Sequence, residues 1–306
     1  MSKSKVTVGV CVRNSAATLL EAIESIINQD YPHEFIEVIF VDDGSEDKTL
    51  SVIESYVPKM DMKVKLFHHK WKGLGYTRNV VVANAEDFIV WVDGDMVLSR
   101  DFVSELVKFM EQHPKVGIAK GKQTLESGKN LLATLETYSR VASRMVDYAS
   151  EKAQFKSLGT GGCIYRVEAI SQVGGFDESI TGYGEDFDVE YRIRKAGWLL
   201  STTDAQFRDY ERGRVSWKDL WCRYLKRGYD AHKFTRERKT LVSLYKMLPP
   251  AAFFAGLFHS FKIYKLTSRK VAFLLPLQYV FKMSAWCFGF IKGNLDFYRA
   301  SVFKPQ

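Results

Sequence analysis

The sequence predicts an α/β fold with a doubly wound, mainly parallel sheet. Short apolar, β-branched runs alternate with segments of helical periodicity along the first hundred residues. Several of these runs end in turns rich in Asp, Gly and Ser. The run Phe88–Val92 continues directly into Asp93-Gly94-Asp95, which is the pattern of a buried parallel strand with a polar carboxyl end. Open α/β sheets bind their ligands at that end, so these two carboxylates indicate a functional site.

The predicted elements follow one another with few interruptions. Apolar periodicity and turn residues indicate strands at Lys5–Val12, Phe35–Val41, Lys63–Phe67 and Phe88–Val92. Helices are expected after Asn14 or Ser15, after Ser45 or Asp47, from Thr77 to Ala85, mainly across 127–156, across Val189–Ala196, and from Trp217 onward. This order of strands and helices is typical of a parallel sheet covered by helices.

Length and cysteine usage narrow the class of protein. A chain of 306 residues can bury one full α/β core plus an appendage, or two modest domains. The N-terminus enters a strand almost at once and shows no secretory signal, so we expect a cytosolic origin. Cys11, Cys163, Cys222 and Cys287 are far apart and form no CxxC pair, which argues against a zinc site and a disulfide framework.

The charge is distributed unevenly. Residues 1–204 hold 24 Lys and Arg against 30 Asp and Glu, whereas residues 205–306 hold 20 against 6, a balance of +14. Such a basic segment indicates contact with a polyanion, either nucleic acid or an anionic membrane surface.

Five motifs in order, contained in four stretches of sequence, carry a family resemblance over roughly residues 5–200. The stretches CVRNSAATLLEAIESIINQDY, FVDDGSEDKT, GLGYTRNVVVANAEDFIVWVDGDMV and GTGGCIYRVEAISQVGGFDESITGYGEDFDVEYRIRKAGW resemble the motifs of family 2 glycosyltransferases. The resemblance implies the GT-A (Rossmann-like) fold: a mixed, mainly parallel sheet flanked by helices. We expect a catalytic domain at residues 1–215 and a basic, aromatic-rich helical extension at residues 216–306.

The resemblance also implies a site for a nucleoside-diphosphate sugar, with a UDP-sugar favoured. Asp42 and Asp43 would reach the uracil and ribose, although Asp-Gly-Ser is also ordinary turn chemistry. Arg78 would grip the diphosphate from a helix N-terminus, unless it is an exposed first-turn arginine. The donor-binding residues implied in this way are Val12, Arg13, Asn14, Asp42, Asp43, Arg78, Asp93, Gly94 and Asp95.

Asp93 and Asp95 match the DxD motif of the family. The resemblance implies that Asp95 ligates Mn²⁺ or Mg²⁺ between the two donor phosphates, and that Asp93 contacts the ribose or assists. Hard divalent cations take oxygen ligands of this kind. The alternative is an Asp-Gly turn that closes a hairpin.

The segment Gly184–Asp188 matches the family position of the catalytic base. The resemblance implies that Asp186 removes the proton of the acceptor hydroxyl, with inversion at the anomeric carbon, and that Glu185 positions the acceptor or the base. Acidic residues in the first turn of a helix also complement its dipole, which is the simpler explanation. Gly161 and Gly162 either let the backbone approach a bound sugar or accommodate a strand bend.

The acidic pair favours one class of acceptor. A phosphate acceptor is already ionised and would be repelled by a carboxylate, so we expect a hydroxyl of a glycan or lipid-linked acceptor. Two alternatives stay open: a polyprenyl-phosphate glycosyltransferase similar to dolichyl-phosphate sugar synthases, and a non-catalytic nucleotide-sugar-binding membrane scaffold.

The sequence departs from the family pattern in two places. The His that often follows the Glu-Asp helix is missing, and Arg208, Arg212 or Arg214 could supply its positive charge. The Gln-x-x-Arg-Trp signature is also missing, which favours transfer of a single sugar.

The basic tail contains two apolar segments, Ala251–Tyr264 and Val271–Ile291. The first is too short to span a bilayer, and Pro276, Gln278, Lys282 and Ser284 interrupt the second. We therefore expect interfacial helices at the cytosolic face of an anionic membrane, with a helical hairpin packed on the catalytic domain or in a homo-oligomer interface as the alternative. Nucleic-acid binding fits poorly, because the aromatic residues lie in long apolar runs.

Overall fold

The computed structural model describes residues 3–128, 130–145, 148, 156–181, 184–209, 216–237 and 247–302. The chain divides into two compact units. Unit 1 comprises residues 1–124, 147–181 and 185–210, and unit 2 comprises residues 125–146, 182–184 and 211–306. The expected boundary after residue 215 lies beside a segment, 210–215, that is outside the described residues.

Unit 1 is built on one mixed sheet. Its strands are β1 (Val6–Val12), β2 (Ile36–Asp43), β3 (Lys63–His69), β4 (Phe88–Trp91), β5 (Met96–Leu98), β6 (Val116–Gln123), β7 (Cys163–Arg166) and β8 (Leu199–Asp209). The described strands lie in the order β3-β2-β1-β4-β7-β6-β8-β5. β1 pairs in parallel with β2 and β4, β2 with β3, and β6 with β8, whereas β7 runs antiparallel to β4 and β6, and β5 antiparallel to β8.

Helices on this sheet bury an apolar core. They are α1 (Leu19–Ile27), α2 (Thr49–Tyr56), α3 (Leu74–Val82), α4 (Phe102–Gln112), α6 (Val167–Gln172) and α7 (Glu185–Lys195), with α5 (Leu131–Arg144) belonging to unit 2. The core joins Val8, Val10, Val38 and Phe40 of the central strands to Leu19, Ile23 and Ile26 of α1 and to Phe102 and Leu106 of α4. Strands buried on both faces explain why the sequence shows continuous apolar runs.

Unit 2 is helical. Besides α5 it contains α8 (Trp217–Glu237), α9 (Pro249–Thr267), a 3-10 turn at Lys270–Leu274, and α10 (Leu275–Val302). Glycines allow α8 and α10 to approach closely: a Cβ at Gly228 would meet the backbone of Trp286, and one at Gly289 the backbone of Leu225. All four cysteines are free thiols.

A buried polar network ties α5 to α10. Lys282 Nζ lies 2.5 Å from Glu136 Oε1 and donates to Ser139 Oγ at 2.8 Å, and Gln278 Nε2 donates to the same Glu136 oxygen at 2.9 Å. The Lys282 and Glu136 side chains are 5% and 4% exposed. Lys282 and Gln278 therefore interrupt the apolar pattern of α10 because they serve this internal network.

α9 reverses the usual arrangement of an amphipathic helix. Its buried positions are Ala252, Gly256, Ser260 and Ile263, whereas its exposed positions include Phe254 (68% exposed), Phe258 (59%) and Phe261 (52%). A Cβ at Gly256 would lie 2.6 Å from Pro276 Cα, so small residues on the inner face permit close helix packing. By length and composition alone, one helical stretch of the described residues, Lys270–Arg299, is apolar enough to cross a membrane, and 39% of its most apolar window is buried.

Candidate functional site

The carboxyl ends of β1, β2 and β4 meet at one edge of the sheet. Parallel pairing sets Val12 beside Asp42 and Gly9 beside Trp91, two residues before Asp93. This edge, with the turns that leave it, is called the carboxyl edge below. It is where a sheet of this kind exposes backbone groups and turns to a ligand.

The turn after β1 is fastened to the turn after β2. Asn14 has a left-handed backbone (φ 52°), and its N–H donates to Ser45 Oγ at 2.9 Å while its Oδ1 accepts from Glu46 N at 2.8 Å. Val12 is buried, whereas Arg13 is exposed and its guanidinium carbon lies 5.6 Å from the ring centroid of Trp71. Neither Asn14 nor Ser15 caps α1 by a side chain, because α1 begins later, at Leu19, after Thr18.

Asp42 and Asp43 are held by different partners. Asp42 is fully buried and accepts from His68 Nδ1 at 2.7 Å and from Ser45. Asp43 is 6% exposed and accepts from the N–H groups of Lys72 and Gly73 at 2.8 and 3.1 Å, with His69 Nδ1 at 3.4 Å. Asp42 thus stabilises its own turn, which agrees with the alternative that Asp-Gly-Ser is ordinary turn chemistry. Asp43 instead stabilises the loop that carries Trp71.

Asp93 and Asp95 are both exposed in the turn between β4 and β5. Gly94 between them packs on the turn after β1, where a Cβ would lie 3.0 Å from Val12 Cγ1 and 3.1 Å from Ser15 Cβ. Among the described residues, no three His, Cys, Asp or Glu side chains gather closely enough to hold a metal. Two exposed carboxylates fit a divalent cation that completes its shell with substrate phosphates.

Arg78 differs from the sequence expectation. α3 begins at Leu74, directly after Gly73 (φ 94°), so Arg78 lies in its second turn, and Gly75 is part of the helix and not of a loop. The Arg78 side chain is 7% exposed, donates to Glu185 Oε1 at 2.7 Å and lies over Phe176 at 5.4 Å. It is therefore a buried cation of the site and not a first-turn arginine open to solvent.

The electrostatic surroundings of Arg78 and Cys11 indicate that four of the predicted acidic residues lie near one another. Burial opposes the charge of Arg78, but Glu185, Asp93 and Asp186 together outweigh it and raise the pKa of the guanidinium. Burial also raises the pKa of the Cys11 thiol to about 12, with Arg78 opposing and Asp93 and Asp43 adding to the rise. Asp43, Asp93, Glu185 and Asp186 thus act on neighbouring groups at the carboxyl edge.

Glu185 and Asp186 lie inside the first turn of α7, which begins four residues earlier than predicted. Burial, followed by the charge of Asp186, raises the pKa of Glu185, and Arg78 opposes this rise. Asp186 is half-buried, and its Oδ1 accepts from Phe187 N at 2.8 Å. A carboxylate with such partial exposure can contact a ligand, whereas the Glu185 carboxylate is buried in an ion pair with Arg78.

Gly161 and Gly162 have different surroundings. A Cβ at Gly161 would collide with Asp93 Oδ2, so any other residue here would displace the Asp93 carboxylate from its present position. Gly162 (φ 73°) is buried over the Phe207 ring, and its N–H donates to Trp91 O while its carbonyl accepts from Gly121 N, both at 2.9 Å. Gly162 therefore lies in the turn that leads into β7, whereas Gly161 borders the carboxyl edge.

Several residues of the site carry no local sequence signal. His68 and His69 end β3 beside the two aspartates, Trp71 is 52% exposed next to Arg13, and Lys120 and Glu190 are buried near Asp186. Charged residues within a predicted strand or helix can indicate a functional site, but the partners of these residues are distant in sequence. Of the arginines considered in place of the missing His, Arg208 is exposed on β8, and Arg212 and Arg214 lie outside the described residues.

Comparison with known proteins identifies related chains. Residues 7–174 match the family described as Glycosyl transferase family 2. The chain is 34% identical over 110 residues to the poly(ribitol-phosphate) beta-N-acetylglucosaminyltransferase TarS of Staphylococcus aureus, covering 36% of this chain and 19% of TarS. It is 22% identical over 199 residues to the poly-beta-1,6-N-acetyl-D-glucosamine synthase of Staphylococcus epidermidis, covering 61% of this chain and 48% of the synthase. The chain thus spans half or less of these two relatives.

Solved structures share the fold. The mannosyltransferase PcManGT from Pyrobaculum calidifontis, in complex with GDP-Man and Mn²⁺, aligns with a TM-score of 0.66 at 18% identity, over 97% of this chain and 88% of its own. S. aureus TarS 1–349 in complex with UDP-GlcNAc aligns with a TM-score of 0.51 at 18% identity, over 97% and 92%. These alignments confirm the predicted GT-A fold.

Proposed function

Because the chain belongs to glycosyl transferase family 2, which confirms the expected class of transferase enzyme, we propose that it moves one sugar from a nucleoside-diphosphate donor to an acceptor hydroxyl with inversion. The observation that carries this proposal is that Asp93 and Asp186 border one short loop, at Gly161 and Gly159, and that Arg78 pairs at 2.7 Å with Glu185, the neighbour of Asp186. A nucleotide base and ribose would lie by Asp42, Asp43, Arg13 and Trp71. The N-acetylglucosamine named in the two relatives favours a UDP-sugar donor, most directly UDP-N-acetylglucosamine.

In this mechanism the residues of the chain bind, orient and move one proton. Asp186 accepts the proton of the acceptor hydroxyl as its oxygen attacks the anomeric carbon. The bond from that carbon to the donor phosphate breaks on the opposite side, the nucleoside diphosphate leaves with the electron pair, and the anomeric configuration inverts. Glu185 and Arg78 hold the first turn of α7, and with it Asp186, in place. Asp93 and Asp95 would hold Mn²⁺ or Mg²⁺ with the donor phosphates, which supplies Lewis-acid stabilisation of the leaving diphosphate.

Donor binding should depend on a divalent cation. We expect isothermal titration calorimetry to show UDP and UDP-N-acetylglucosamine binding at least tenfold more tightly with Mn²⁺ than with EDTA, because the cation offsets repulsion between the diphosphate and the carboxylates. Asp95→Asn should remove this difference, while Asp204→Asn, at a fully exposed position of β8, should leave it intact. GDP-mannose serves as the rival donor. Tighter binding of GDP-mannose would overturn the choice of a UDP-sugar. If neither nucleotide sugar binds, the proposal that this edge is a transferase site is wrong.

We further propose that unit 2 binds the cytosolic surface of an anionic membrane, where a glycan or lipid-linked acceptor is presented. The support is the outward aromatic face of α9, formed by Phe254, Phe258 and Phe261, next to the exposed cations Lys265, Arg269 and Lys270. Contiguous exposed apolar faces mark sites that bind another surface, and the neighbouring cations are complementary to anionic headgroups.

Vesicle co-sedimentation tests this membrane proposal. Binding to phosphatidylglycerol-containing vesicles should exceed binding to pure phosphatidylcholine, weaken with salt, and fall about tenfold or more in the Phe254→Ser/Phe258→Ser variant. Leu20→Ser, at an exposed apolar position of α1, is the matched control. If the double variant binds vesicles normally but loses a dimer in light scattering, the face is a homo-oligomer interface and the membrane proposal is wrong.

A further inference from the structure

A short loop, residues Ser157–Gly161, is held from both sides by buried charged side chains. On one side Glu190 Oε2 accepts from Leu158 N at 2.8 Å, and Glu190 Oε1 accepts from Gly159 N at 2.9 Å and from Ser157 Oγ at 3.1 Å. On the other side Lys120 Nζ donates to Gly159 O at 2.9 Å and to Gly161 O at 2.5 Å. The 157–161 loop thus has its amide groups on a carboxylate and its carbonyl groups on an ammonium.

This loop borders two of the proposed site carboxylates. Gly161 lies directly against Asp93, whose carboxylate a Cβ at this position would displace. A Cβ at Gly159 would lie 3.6 Å from Asp186 Oδ2 and 4.0 Å from Lys120 Nζ. The loop therefore passes from the neighbourhood of Asp186 to that of Asp93, and its position bears on the space between the two side chains.

Glu190 and Lys120, which together are called the clamp below, lie on a helix and on a strand. Glu190 follows Asp186 by four residues on α7, so both side chains leave the same face of one helix. Lys120 lies on β6, opposite Cys163 of β7 in the antiparallel pair. A shift of either residue would move the loop relative to Asp186, and helices and strands hold such positions more precisely than loops do.

Stability alone does not explain these charges. Glu190 is 2% exposed and Lys120 is 1% exposed, and burying charged groups is costly even when they are hydrogen-bonded. Burial, followed by the charge of Asp186, raises the pKa of Glu190, and the Leu158 amide, Lys120 and Ser157 oppose this rise, so the charged form of Glu190 is kept at a cost. An apolar pair would fill the same space at lower cost, but it could not fasten the backbone of the loop.

We propose that Lys120 and Glu190 are positioning residues of the transfer reaction: they fix the 157–161 loop as the surface that presents the acceptor hydroxyl to Asp186. This inference rests on the proposed function and deepens it. The position of the bound acceptor depends on the position of this hydrogen-bonded loop. Donor binding uses Asp95 and the turns after β1 and β2 as well as Asp93, so we expect it to depend on the clamp much less than transfer does, although Gly161 contacts Asp93.

The test separates transfer from donor hydrolysis. Glu190→Gln replaces one acceptor oxygen by an NH₂ group facing an N–H donor, and Lys120→Met removes the ammonium at similar length. For both variants we expect the rate constant of transfer to fall about 10²-fold, since misplacements of about 1 Å have effects of this size. Donor affinity and the slow hydrolysis of the donor by water should stay within about threefold. Lys122→Met, two residues further along β6 and 66% exposed, is the matched control.

Two outcomes contradict the clamp: transfer that stays normal in both variants, or transfer, hydrolysis and donor affinity that fall together. Ser157→Ala, which removes one hydrogen bond to Glu190 and the one that Ser157 Oγ accepts from Gly159 N, covers the case in which the stronger variants unfold. An unchanged ratio of transfer to hydrolysis in it would overturn the proposal. Amide hydrogen exchange of Leu158 and Gly159 gives a readout that is independent of turnover. If the wild type has no transferase activity but Glu190→Gln accelerates exchange at these two amides, the clamp exists and the proposed function has failed.

Discussion

Replacing Asp186 with Asn is expected to lower the transfer rate by about 10²–10⁴-fold, the usual contribution of a general base. The amide keeps the size of the side chain and its contact with the Phe187 N–H, which lies 2.8 Å from Oδ1, but it cannot accept the acceptor proton. The measurement is the initial rate of sugar transfer at saturating donor, together with the donor dissociation constant.

The expected signature of Asp186→Asn is a loss in the rate constant with donor affinity retained. Asp204→Asn, whose side chain is 96% exposed on β8, is the control that should transfer normally. Near-normal transfer by Asp186→Asn would remove the general base from the mechanism and revive an ionised phosphate acceptor, which needs none.

Replacing Lys282 with Met is expected to destabilise unit 2 by about 3–5 kcal/mol, the cost of leaving the partner of a buried ion pair uncompensated. Glu136 would lose the ammonium 2.5 Å away and keep only Gln278 as a side-chain donor among the contacts described above. Urea unfolding followed by tryptophan fluorescence measures this, since Trp217, Trp221 and Trp286 lie in unit 2.

The double variant Glu136→Leu/Lys282→Met should recover most of the lost stability, because an apolar pair removes the unpaired charge. Lys292→Met, at an exposed position of α10, should change the free energy of unfolding by less than about 0.5 kcal/mol. A loss of less than about 1 kcal/mol in Lys282→Met alone would show that the lysine reaches solvent and that the buried network is not essential to unit 2.

Much of the carboxyl edge could be predicted because its signals are local. Parallel strands point their ends to one edge of a sheet, so acidic turns after Asp42 and after Val92 had to come near each other once β1, β2 and β4 were recognised as neighbouring parallel strands. The ends of helices were less accurate: α3 and α7 both begin earlier than expected. Gly73 and Gly184, with positive φ of 94° and 112°, immediately precede these helices.

The roles of the buried charges could not be predicted, because each depends on a partner far along the chain. Arg78 meets Glu185 across 107 residues, and Lys282 meets Glu136 across 146. From the sequence, Arg78 was expected to bind the donor diphosphate, with an exposed first-turn arginine as the alternative, and Lys282 was expected to interrupt an apolar segment. Nothing in the residues around either one encodes which carboxylate it will meet.

By itself, the sequence determined β1 to β4, the helices between them and the position of acidic turns at the ends of two parallel strands, because hydrophobic periodicity and turn chemistry act over a few residues. It did not predict β5 to β8, α4 or α6. Only the tertiary structure decided that Arg78 is a buried cation of the site, that Gly162 lies in the turn before β7, and that Lys120 and Glu190 hold one loop. The physical reason is that a buried charge must find its partners wherever packing brings them, and packing joins residues that the chain keeps far apart.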